Sequence, residues 1–128
     1  MKKCFLVLLL LLFLTACGTQ TAQKSKYEIV VVPQAWSEEI DDAIEDHVKD
    51  LPELNVYQNT SEEPDALYQA LLVEDLMAQE VDAVCIDPVD EETVMPMIEK
   101  AREAGIIVVA GSDIPTMIDR AAMELSQE

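Results

Sequence analysis

Chemistry in this chain has to come from a few polar and aromatic side chains placed where apolar runs stop. Asp87 ends Val81-Asp-Ala-Val-Cys-Ile86 and is followed by Pro88, with Asp90 three residues beyond it. Asp113 follows Ile106-Ile-Val-Val-Ala110 across Gly111-Ser112, and Gln34 and Trp36 follow Tyr27-Glu-Ile-Val-Val-Val32 across Pro33. Carboxylates and a carboxamide suit a small polar ligand, because they supply acceptors and donors at the ends of short side chains. An indole with one free face can stack on a ring. Asp87, Asp90 and Asp113 at one edge would also suit a hard cation such as Mg²⁺, as in phosphoacceptor domains of similar topology. Each residue has a plainer reading as well. Asp before Pro caps turns, Asp113 serves equally as a turn residue, and Trp36 can simply pack over a helix end.

Catalysis by a nucleophile finds little support. Cys85 lies inside an apolar run, where a thiol behaves as a small hydrophobe, and activating it needs a cation or a His beside it. The chain has a single His, His47, whose expected place is a solvated position on a separate helix. Gly-x-Ser-x-Gly and Gly-rich phosphate loops are missing from the sequence. The expectation is a protein that is not an enzyme and needs no cofactor.

Positioning these residues at one place requires a particular order of elements. The runs 27–32, 54–58, 81–86 and 106–110 are short and rich in β-branched residues, as buried strands are. Between them lie helical patterns. Ile40, Ala43, Ile44, Val48 and Leu51 recur at three- and four-residue steps after Ser37, a helix cap, and Pro52 stops them. Pro64 is expected in the first turn of a second helix that buries Leu67, Ala70, Leu71, Leu76 and Met77. Glu80 then falls where a left-handed residue, normally Gly, closes a helix. Asp90 caps a third helix burying Val94, Met97, Ile98 and Ala101, with Pro96 inside it and Gly105 after it. Met117, Ile118, Ala121 and Leu125 mark a last helix from Pro115. Strand-helix alternation at this spacing predicts a three-layer, Rossmann-like α/β fold. Right-handed crossovers give its parallel sheet the order 2-1-3-4. Ligands of such sheets sit beyond the carboxyl ends of the strands, where the order reverses. The loops bearing Gln34 and Trp36, Asp87, and Asp113 share that edge.

The first residues belong to targeting. Lys2-Lys3 precede an aliphatic stretch, Phe5 to Leu14, that is shorter than the ~20 residues a spanning helix needs. Leu14-Thr-Ala-Cys-Gly18 resembles the bacterial lipoprotein lipobox, which implies a signal peptide over 1–16 and lipidation of Cys17. A plain membrane anchor is the alternative. Residues 17–26 read as a lipidated Cys and flexible tether, and 27–128 as the folded lobe. Of 3 Cys only Cys85 would stay in that lobe, so an internal disulfide is excluded. Removing the signal leaves 6 of the 8 basic residues against 26 acidic ones. Such a surface repels nucleic acid and anionic lipid, so membrane contact is expected through acyl chains alone. The pairs Asp41-Asp42 and Glu62-Glu63 are ordinary charged surface.

Taken together, the alternation, the run from Val81 to Asp90, Glu99-Lys-Ala-Arg-Glu-Ala-Gly-Ile-Ile-Val-Val109, and Glu74-Asp-Leu-Met-Ala-Gln79 before Val81-Asp-Ala83 resemble one family. It is the type I sugar-binding solute receptors of ABC importers, the ribose- and galactose-binding group. The similarity runs from Tyr27 to Asp113 and corresponds to that family's N-terminal lobe. It implies an extracytoplasmic protein that holds a monosaccharide or similar small polar ligand and delivers it to an ABC permease. By position it implies Trp36 for stacking and Asp87 and Asp113 as hydroxyl acceptors, with Gln34 beside them. Asp87 replaces a neutral residue of the family pattern, and Glu80 replaces Gly. Taking 16 residues from 128 leaves 112, which is expected to hold one lobe and no second. A one-lobed cleft leaves a ligand's far side wet and should bind weakly. A non-binding remnant or an interaction lobe is the alternative role.

Overall fold

The structure, a computed structural model, describes residues 25–128. The expected signal peptide, Cys17 and the tether up to Lys24 lie outside the described residues. Four strands form one parallel sheet: β1 (Tyr27–Val32), β2 (Leu54–Gln58), β3 (Ala83–Ile86) and β4 (Ile107–Ala110). Their order is β2-β1-β3-β4, as the spacing predicted. The helices are α1 (Glu38–Val48), α2 (Ala66–Ala78), α3 (Glu91–Glu103) and α4 (Ile114–Leu125).

Alternation along the strands sorts the core into two layers. Val30, Val32, Val84, Ile86 and Val108 face α2 and α3, packing on Val73, Leu76, Val94 and Ile98. Ile29, Val31, Ala83, Cys85 and Val109 face α1 and α4, packing on Ile44, Met117, Ile118 and Leu125. Both faces of β1 and β3 are therefore sealed, which explains their unbroken apolar sequences. Cys85 is wholly buried, and burial pushes its thiol up to about 12, so it is inert at neutral pH.

Each described helix begins on a side-chain cap of the expected kind. Ser37, Asp65, Asp90 and Asp113 accept hydrogen bonds from the N–H groups of Ile40, Tyr68, Thr93 and Thr116. Asp65 rather than Pro64 starts α2, so Pro64 stands just outside the helix. Pro96 does not interrupt α3. It is exposed, so the Glu92 carbonyl it leaves without an intrahelical partner can meet water. Val81 and Ile106 are buried, though each lies just before its strand.

The largest departure from expectation concerns α2. Leu67 and Leu71 are 64% and 53% exposed, and the buried stripe is Gln69, Leu72, Val73 and Leu76. Two residues are about 200° around a helix, so placing Gln69 inward turns Leu67 and Leu71 outward. An apolar count along the sequence misses this because the inward position is polar. Ala43 of α1 is exposed as well, while Ile44 takes the core position.

Two helix-to-strand turns need a left-handed residue. Gly105 meets that need at φ 91°, but Glu80 occupies it at φ 57° with a side chain. Such a conformation costs an L-residue about 1–2 kcal/mol, partly offset in Gly by greater freedom of the unfolded chain. Glu80→Gly should thus stabilise the protein by roughly 0.5–1 kcal/mol, seen as a higher urea midpoint at unchanged slope. An unchanged or lowered midpoint would show that the Glu80 side chain compensates the strain.

Candidate functional site

Four loops meet at the carboxyl edge of the sheet, and hydrogen bonds tie them together. The loop after β1 is held first by the segment after β2. Trp36 N–H donates to the Ser61 carbonyl at 2.9 Å, and Thr60 Oγ1 donates to the Pro33 carbonyl at 2.9 Å. Gln58 Nε2 donates to the Ser37 carbonyl at 2.6 Å. The loop after β3 joins the same assembly. Gln34 Nε2 donates to Asp87 Oδ1 at 3.2 Å and to the Pro88 carbonyl at 3.3 Å. Asp87 N–H donates to the Val32 carbonyl at 3.0 Å, extending the β1–β3 ladder by one bond and fixing where its side chain leaves the sheet.

Over this edge lies an open cavity of about 340 Å³, within the range of small-molecule sites. Gln34, Asp87 and Ser112 supply its polar groups; Ile40, Ile114 and Met117 supply apolar surface. With one carboxylate and no cationic side chain in its lining, it favours neutral polyhydroxylated ligands or cations over anions. A slightly larger depression of 390 Å³ lies at the opposite, amino edge, between Glu80, Asp82 and Gly105. It is lined by the α2–β3 and α3–β4 turns and the end of α4, at the edge opposite the ends of the strands where ligands of such sheets sit.

The structure thus brings Gln34 and Asp87 together and leaves Trp36 and Asp113 at the margins. Trp36 is 47% exposed on the same loop as Gln34 but does not line the cavity. Asp113 lines a separate depression with Thr116 and Arg120, and shares only Ser112 and Met117 with the main cavity. Its Oδ2 accepts from Thr116 N–H at 3.2 Å and from the Thr116 hydroxyl, as Asp90 does from Thr93. Hydrogen bonds from Thr93 hold the Asp90 carboxyl below its usual range. Among the described residues no group of three or more His, Cys, Asp or Glu is placed to hold a metal ion, so Asp87, Asp90 and Asp113 do not converge as a cation site.

His47 also departs from expectation. It is half-buried, with Nε2 2.7 Å from Asp119 Oδ1, and so links α1 to α4 rather than standing free in solvent.

Sequence reasoning missed Gln69. It is fully buried, and its amide reaches both the β1 and β3 loops. The only signal for it in the sequence is a polar residue on the stripe with Leu72, Val73 and Leu76.

Residues 29–124 match the family described as the periplasmic binding protein domain. No curated protein matches the chain. Among solved structures, an ABC transporter solute-binding protein from Burkholderia multivorans is 26% identical with a TM-score of 0.57, over 68% of this chain and 33% of that one. One from Actinobacillus succinogenes with bound D-allose is 25% identical with a TM-score of 0.56, over 65% of this chain and 30% of that one. One from Burkholderia graminis in complex with D-arabinose has a TM-score of 0.60 at 22% identity, over 73% of this chain and 33% of that one. The chain therefore matches about one third of the length of these proteins.

The cap assignment at the cavity's margin is directly testable. Asp113→Ala should cost about 1 kcal/mol of stability, whereas Asp113→Asn, which keeps a capping oxygen, should cost much less. Equal losses in denaturant titrations would mean that the charge, and not the cap, is what matters.

Proposed function

The chain belongs to the periplasmic binding protein domain family, and from that membership we propose that it is a lobe of an extracytoplasmic solute receptor serving an ABC-type importer. The observation that carries this reading is the Gln34–Asp87 pair at the mouth of the 340 Å³ cavity. A carboxylate oxygen already engaged by a carboxamide leaves its second oxygen to accept from a ligand hydroxyl. The ligand class is a monosaccharide or a similar small polyol. Relatives hold D-allose, D-arabinose and myo-inositol, and the cavity's lining has no cationic side chain to pair with an anionic group. Trp36 supplies a ring face at the cavity's rim, and Asp113 an acceptor beyond Ser112. These residues form one wall of a binding site.

Delivery of the ligand to a permease keeps the lobe close to a membrane. Lipidation of Cys17 after removal of 1–16 would hold it there on the outer face, with residues 17–26 as tether. Labelling with palmitate that disappears in Cys17→Ser checks the anchor; labelling that survives the substitution would remove it.

A second reading is an interaction lobe with no ligand of its own. The exposure of Leu67, Tyr68 and Leu71 along α2 favours it, since such surface is suited to a protein contact.

Calorimetric titration with D-allose, D-arabinose and myo-inositol separates the two. The receptor reading expects saturable binding that Asp87→Ala weakens by about 1.5–3 kcal/mol, the usual range for a hydrogen bond to a charged group. Flat titrations across the three ligands, with concentration-dependent self-association, would overturn it in favour of the interaction lobe.

A further inference from the structure

We propose that Gln69 is a positioning residue whose buried carboxamide sets the distance and orientation between Gln34 and Asp87 at the cavity. The inference rests on reading that cavity as a solute site. Gln69 is the only fully buried polar side chain among the described residues, and all of its bonds land on main-chain atoms of two loops. Its Nε2 donates to the Pro33 carbonyl at 3.2 Å and to the Asp87 carbonyl at 2.9 Å. Its Oε1 accepts from the Val89 N–H at 2.8 Å. This network settles the amide's orientation, because two carbonyls on one side and one N–H on the other fit only one assignment.

The contacts fall immediately beside the ligand-facing groups. Pro33 precedes Gln34, and the Asp87 carbonyl belongs to the residue whose carboxylate receives Gln34. The carboxamide therefore ties together the same two loops that the Gln34–Asp87 bond joins. Relief of the Pro33 carbonyl does not explain it, since that carbonyl already accepts from Thr60 Oγ1 at 2.9 Å, while the Asp87 carbonyl and the Val89 N–H are both met by Gln69. An apolar side chain would also suit the stripe of Leu72, Val73 and Leu76 better. What a carboxamide adds is a simultaneous hold on both loops by a donor pair and an acceptor. Neither Leu nor an ionised Glu provides that combination.

Three variants of the full chain test this: Gln69→Met, which keeps the volume and removes the bonds; Gln69→Glu, which keeps the shape; and Leu72→Ala, a core truncation on the same helix. Titrated with D-allose, D-arabinose and myo-inositol, Gln69→Met should bind about tenfold to a hundredfold more weakly than wild type, as loss of an orienting partner typically does. Leu72→Ala should be less stable but bind like wild type. Gln69→Glu carries a pH signature that a purely structural role lacks. Its neutral carboxyl can donate to one carbonyl and accept from Val89, whereas its carboxylate opposes two carbonyls. The ratio of its Kd to that of wild type should stay near one in acid and climb as pH rises through the buried carboxyl's ionisation. The charged groups nearby, Asp65, Asp87 and Asp90, are common to both proteins, so the ratio removes their contribution.

A folded Gln69→Met that binds like wild type would overturn the proposal. So would an equal loss in Leu72→Ala, or a pH-independent Gln69→Glu ratio. If Gln69→Met does not fold, the Gln69→Glu ratio decides alone. If wild type binds none of D-allose, D-arabinose and myo-inositol, the receptor reading falls and amide hydrogen exchange decides on Gln69. Loss of Val89 N–H protection in Gln69→Met but not in Leu72→Ala would then support its hold on the loops; equal protection in both would overturn it.

Discussion

Everything in this structure depends on β1 being hydrogen-bonded on both edges and buried on both faces. Ile29, Val30, Val31 and Val32 have no exposed surface, and β1 pairs with β2 on one side and β3 on the other. A strand so enclosed requires helices above and below it, which fixes the three layers. It also requires the chain to leave β1 toward one side and return on the other. The loops after β1 and β3 then diverge at the carboxyl edge, and the gap between them is where a ligand can enter.

That gap would be shapeless if its walls were ordinary loops. Parallel ladder bonds carry order up to Asp87, whose N–H reaches the Val32 carbonyl. Beyond it the sheet offers nothing, and side chains take over. Gln34 bridges to Asp87 and Pro88, Thr60 holds Pro33, and Gln58 holds Ser37. The polar contacts of the site are thus built from carboxamides and hydroxyls, which keep their hydrogen-bonding pattern across the physiological pH range. Charge enters mainly through Asp87.

The opposite edge of the sheet shows different economics. There Asp82 accepts from Glu28 N–H at 2.7 Å, and Tyr57 donates to Glu28 Oε1 at 2.7 Å. Burial, helped by that bond, pushes the Tyr57 hydroxyl up to about 12. Arg102 donates to the Val108 carbonyl at 3.0 Å, on the side of β4 that no strand covers. These contacts secure the amino ends of β1 and β3 and the free edge of β4.

Strand positions, helix order, the caps at Ser37 and Asp90 and the left-handed turn at Glu80 were determined by the sequence alone, whereas the caps at Asp65 and Asp113 emerged only in the structure. Each follows from local rules: β-branched runs, three- and four-residue periodicity, short polar residues before helices, and a breaker after them. The carboxyl-edge location of Gln34 and Asp87 follows equally from strand order. Tertiary structure alone decided which face of α2 turns inward. Sequence periodicity favoured Leu67 and Leu71, but a buried carboxamide with three main-chain partners outcompetes them for the inner stripe. Those partners, at Pro33, Asp87 and Val89, are 18 to 36 residues away in sequence, so no local pattern announces them. The same distance hid the pairing of His47 with Asp119 and the separation of Asp113 from the cavity. Apolar burial leaves a local trace because any neighbour will satisfy it, whereas a hydrogen bond depends on one partner being in one place.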